Sequence, residues 1–129
     1  MTELETFKSA NSGFISNVEG LLIQRLPGSC ESLWDYITLV ESYYLTLLSI
    51  HTRAERLLIK AEVEAVNQIK GEKMTVMERE SIIKALVMDA QEQRDRLKTM
   101  TMSIEKKLEI GLTRVQWLQN IEERSAHGG

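Results

Sequence analysis

The sequence predicts an all-α protein: a long antiparallel helical hairpin, or coiled coil, with a short N-terminal helix packed at its open end. Three observations carry this expectation. Apolar residues recur at alternating steps of three and four over two long stretches. A single proline, Pro27, stands in 129 residues, so little interrupts helix formation. One segment, GEKMTVMERE at 71–80, carries both a helix stop and a helix start. Gly71 tolerates the left-handed conformation that ends helices. Thr75, with Glu78 three residues on, has the form of a capping box.

The elements run in chain order as one domain. Residues 1–12 carry weak helix signals and are expected to fray. Residues 13–26 read as an amphipathic helix, with Phe14, Val18, Leu21, Leu22 and Leu26 on one face. Pro27 disfavours helix at Leu26, Gly28 permits a turn, and Ser29 is placed to cap the next helix. Residues 30–70 form the first long arm, whose seam runs Leu33, Ile37, Val40, Tyr44, Leu47, His51, Ala54, Leu58, Ala61, Ala65. At ~1.5 Å per residue such an arm is a rod of roughly 60 Å. Residues 75–124 form the second arm, with the seam Ile83, Val87, Ala90, Arg94, Leu97, Thr101, Ile104, Leu108, Gly111, Val115, Leu118. SAHGG, at 125–129, reads as a frayed tail.

Two such seams joined by a short turn fold back on each other. With the turn centred at 72–73, Arg53 faces Glu92, Arg56 faces Asp89 and Glu62 comes close to Lys84. His51 falls opposite Arg94, so the two polar interruptions form one polar seam layer. Gly111 lies level with Leu33 and Trp34, where a missing side chain would admit a large one. Val115, Leu118 and Ile121 reach past the start of the first arm and need the helix at 13–26 as cover.

Composition narrows the function. A hydrophobic content of 43% is too high for a disordered chain. A net charge of −3 argues against a strongly basic nucleic-acid binder, though not against a local basic face. Cys30 is the sole cysteine, so no intramolecular disulfide forms, and it reads as a small near-buried residue. MTELETF has no apolar core of signal-peptide length, and no stretch is long and apolar enough for a bilayer. The expectation is a soluble, cytoplasmic protein without membrane contact. His51 is the only internal histidine, and no cluster of His, Cys and carboxylates has metal-ligand spacing. No Glu-x-x-His pair or phosphate-cradling glycine loop occurs. A thin rod does not enclose a small-molecule substrate. No catalytic residue, metal or cofactor is expected, and the chain reads as not an enzyme.

The remaining signal is on the surface. Tyr43, Ile50 and Trp117 fall beside the seams, and Met88, Met100 and Met102 add adaptable side chains to the second arm. The apolar face is therefore wider than a two-stranded seam consumes, which predicts a homo-oligomer and a protein partner. Arg94, Arg96, Lys98, Lys106 and Lys107 gather most densely among the bases, though acids interleave.

The first arm contains YYLTLLSIHTRAERLL, the turn is IKGEK, and the second arm runs ERESIIKALVMDAQEQRDRL and ends in TRVQWLQNIEER. In this layout the chain, from Leu33 onward, resembles small helical phage accessory proteins of the UvsY-type recombination mediator kind. That resemblance implies assembly into rings, contact with single-stranded DNA, and loading of a recombinase. It implicates Arg94, Arg96, Lys98, Lys106 and Lys107 in phosphate contacts, and it places the protein in a host cytoplasm if phage-encoded. Two readings stand beside it. One is a phage counter-defence protein that inhibits a host nuclease by direct binding. The other is a structural or assembly adaptor.

Overall fold

The computed structural model describes residues 2–128, with backbone alone for the last two of these. Three helices form it: α1 at Glu3–Ile23, α2 at Cys30–Ile69 and α3 at Val76–Gly128. The two long helices pack against each other along their seams and make the helical hairpin that the sequence predicts. No strand occurs among the described residues.

The turn forms as its residues dictate. Gly71 adopts φ of +87°, which a side chain would resist, and the Glu72 amide donates to the Ile69 carbonyl at 3.2 Å. The next helix starts on a capping box. The Glu78 amide donates to Thr75 Oγ1 at 3.1 Å, and the Thr75 amide donates to the Glu78 carboxylate at 3.4 Å. At the other end of α2, Ser29 accepts from the Ser32 amide at 3.2 Å and caps the helix.

The N-terminal helix is longer than the sequence suggests. It starts at Glu3, not near residue 13, on a second capping box in which Thr2 and Glu5 exchange hydrogen bonds. Asn11 hides this helix from a pattern search, because a polar residue stands at a position that points inward. It is buried, and its Nδ2 donates to the Phe7 carbonyl at 2.9 Å, so its amide enters the core partnered. At the other terminus the expected frayed tail is helical through Gly128, and Gly129, like Met1, lies outside the described residues.

α1 leaves the open end of the hairpin and runs back along it, antiparallel to α2 and parallel to α3. Glu3 bonds Lys60, the Phe14 ring meets the Tyr43 ring edge-on at 5.4 Å, and Lys107 donates to the Gln24 carbonyl at 2.7 Å. The cover is thus a third helix that reaches along the flank as far as Lys60, and the middle of the molecule is a three-helix bundle. Leu33, Val40, Leu47, Leu97, Ile104 and Val18 are sealed in its core. Val115 is buried as expected and Leu118 packs on the core, but Ile121 remains 39% exposed beyond it. Nearer the turn the core thins to Leu58 and Val87 with the small residues Ala65 and Ala90.

Two local expectations are corrected. A Cβ built on Gly111 would stand 3.1 Å from Ile37 Cγ1, so the glycine admits Ile37, one helical turn from Trp34, which is itself exposed. And no ion pair among the described residues joins α2 to α3; the pairs Arg53–Glu92, Arg56–Asp89 and Glu62–Lys84 do not form. The first two could not. Those four residues occupy outward positions of the seven-residue repeat, and only the positions flanking the seam reach across a coiled coil.

Candidate functional site

The hairpin has two flanks, and they are chemically different. On one flank, at seven-residue spacing, stand Tyr36, Tyr43, Ile50 and Leu57 of α2, with Gln93, Met100 and Lys107 of α3 opposite. This is the flank α1 covers. Ile50 and Met100 are buried, and Tyr43 is half-buried against Phe14. The surplus apolar face read from the sequence at Tyr43, Ile50 and Met100 is therefore real, but it is consumed inside the chain and not by a partner. Met88, Met102 and Trp117, the rest of that predicted surface, stay exposed. Trp117 lies past the end of α1, beside Ile110, Thr113 and Arg114.

The predicted basic cluster is divided in the same way. Arg96 pairs with Glu19 of α1, and Lys107 donates to the last turn of α1. Both are anchors of the third helix. Arg94 Nε donates to Asp95 at 2.7 Å on its own helix. Lys98 and Lys106 are exposed and make no ion pair among the described residues. At a turn of about 100° per residue these five side chains point in at least three directions, so they do not make one stripe.

The His51–Arg94 layer does not close either. His51 Nε2 lies 3.4 Å from Glu55 on its own helix without making a hydrogen bond, and Arg94 turns to Asp95. Each polar seam residue has its nearest carboxylate on its own helix. The hydroxyl of Tyr36 is also buried without a hydrogen-bond partner among the described residues, and burial raises its pKa above the ordinary tyrosine value.

On the opposite flank no helix lies among the described residues. Its seam-flanking positions are Trp34, Glu41, Leu48, Glu55 and Glu62 on α2, with Lys84, Gln91, Lys98, Glu105 and Leu112 on α3. Just outside them come Leu45 and Ile59, then Met88 and Met102. Leu45 and Met102 are each more than 60% exposed, and Ile59 and Met88 more than half. This apolar row lies among carboxylates: Asp95 and Glu109 join the four glutamates, against Lys84 and Lys98. Sequence reasoning named Met88 and Met102 of this row but missed Leu45 and Ile59 of α2. The signal was legible: Leu45 and Ile59 are separated by two heptads, as are Met88 and Met102.

No group of three or more potential metal ligands converges among the described residues, and no helix is long and apolar enough to cross a membrane. A comparison with protein-family models, with curated proteins and with solved structures finds no match.

Proposed function

We propose that this protein is a non-enzymatic helical adaptor that docks an amphipathic helix of a partner protein along the open flank of its hairpin. The observation that carries the reading is the exposed row of Leu45, Leu48, Ile59, Met88, Met102 and Leu112 on two rigid ridges lying side by side. A helix laid between two others buries its apolar stripe in this manner. The surrounding carboxylates select the partner's polar edges, which should carry lysine or arginine. A partner-binding ridge is what a recombination mediator that loads a recombinase, a nuclease inhibitor and an assembly adaptor have in common.

The mediator reading itself adds single-stranded DNA. Lys98 and Lys106 support it by making no ion pair among the described residues, whereas the acidic setting of the open flank opposes it. One pair of measurements separates the readings. A synthetic basic amphipathic helix should bind the wild-type chain, and a Leu45→Asp, Met102→Asp variant with an unchanged circular dichroism spectrum should lose it. Equal binding by the variant would refute the docking surface. A salt-dependent mobility shift with single-stranded DNA, lost on Lys98→Glu and Lys106→Glu, would move the function to the mediator.

A further inference from the structure

The two arginines that do not reach across the hairpin have another setting. Arg53 and Arg56, with Lys60, wall a groove of 480 Å³ between α2 and the first half of α1. Its floor is apolar: Phe7, Ala10 and Leu57. The volume lies within the range of ligand-binding clefts, about 300–1,000 Å³.

The charges around it do not cancel. Lys60 is matched: Glu3 bonds it at 2.7 Å, and this hydrogen bond and charge, with Glu64 nearby, raise its pKa. Arg53 and Arg56 make no ion pair among the described residues. The acids of α2 closest in sequence, Glu55 and Glu62, belong to the opposite flank. Two guanidinium groups therefore overhang an apolar floor in a molecule whose net charge is negative. A guanidinium presents a rigid fork that matches a carboxylate with two parallel hydrogen bonds. The apolar floor beneath it is suited to an aliphatic or aromatic side chain.

We propose that this groove binds an acidic peptide segment of a partner, with an apolar side chain seated against Phe7, Ala10 and Leu57 and flanking carboxylates on Arg53 and Arg56. A nucleic-acid strand is the poorer fit. Phosphates need a long basic track, and here the groove offers two arginines, with Glu3 and Glu64 beside its lysine. The groove and the open flank lie on different sides of the hairpin, so either can bind without the other.

The test is fluorescence anisotropy with a labelled peptide in which leucine and tryptophan alternate with aspartate and glutamate. The wild-type chain should bind it, and affinity should fall as salt rises. Arg53→Glu and Arg56→Glu should each weaken binding at least about tenfold, the scale of one lost charge-assisted hydrogen bond. Ala10→Trp, an exposed position that the indole would use to fill the groove, should abolish binding with helicity retained. Leu45→Asp, outside the groove, should leave the affinity for this acidic peptide unchanged. Failure of the peptide to bind at millimolar concentration would overturn the proposal. Equal affinity for the asparagine and glutamine version would do so too. So would a single-stranded DNA oligonucleotide that competes for the groove through the same two arginines, since that would assign it to phosphate.

Discussion

The two flanks of this hairpin start from the same repeat and end as opposites. On the covered flank the positions beside the seam are Tyr36, Tyr43, Ile50 and Leu57, and a third helix lies over them. On the open flank the equivalent positions are Trp34, Glu41, Leu48, Glu55 and Glu62. Replacing aromatic and aliphatic side chains by glutamates at one heptad position decides where α1 docks. Burial of each large apolar side chain is worth about 1.5–3 kcal/mol, whereas burial of an unpaired carboxylate costs several. The third helix therefore has one place to go. The difference also divides the apolar residues themselves: those under α1 hold the fold, and those on the open flank stay exposed.

Substitutions sharpen the contrast, and the largest effect belongs to the covered flank. Ile50→Ala should destabilise by about 2–5 kcal/mol, while Leu45→Ala on the open flank should stay within about 0.5 kcal/mol. Urea unfolding followed by circular dichroism measures both, and equal costs would erase the distinction between the flanks. Next comes Gly111. Gly111→Leu should cost about 1–3 kcal/mol by driving Ile37 out of place, despite better helix propensity. A raised midpoint for that variant would remove the packing account.

Tyr36 stands on the covered flank with a buried hydroxyl, so Tyr36→Phe should leave stability unchanged or raise it by up to about 1–3 kcal/mol. The same residue sets a pH dependence. Its folded-state pKa is raised, so its contribution is fully present below the ordinary tyrosine value of 10.0 and is lost as pH rises through the folded value. Wild type should weaken above about pH 10 more steeply than Tyr36→Phe, and parallel alkaline curves would contradict the burial of that hydroxyl. The smallest effect is the Arg96–Glu19 pair that ties α1 to α3. Both partners are about half exposed, so a double-mutant cycle should return about 0.2–1 kcal/mol.

Much of the architecture was legible because it depends on local chemistry. Steps of three and four along Leu33 to Ala65 and Ile83 to Leu118 can only be one buried stripe per helix, and two stripes joined at Gly71 must face each other. Ser29, Thr75 and Glu78 cap helices through bonds that span three residues, so a sequence window contains the whole motif. The surplus of apolar residues beside the seam was legible too. What failed were statements about which residue meets which. Arg53 with Glu92 and Arg56 with Asp89 have the wrong azimuth. Neither error is visible from charge alternation alone. The basic cluster at Arg94 to Lys107 divides for a related reason: residues close in sequence on a helix point to different sides.

By itself, the sequence determined three things: that the chain is helical, where its turn falls and which stripe of each arm is buried. All three depend on periods and caps that act within a few residues. Only the tertiary structure decided that α1 begins at Glu3, that it lies over Tyr43, Ile50 and Met100, and that Arg96 and Lys107 serve as its anchors. Those outcomes depend on Asn11 being admitted to a core through a bond to the Phe7 carbonyl, and on one flank offering α1 more apolar area than the other. Docking of a third helix is settled by the sum of contacts between segments far apart in the chain. No local window contains that sum.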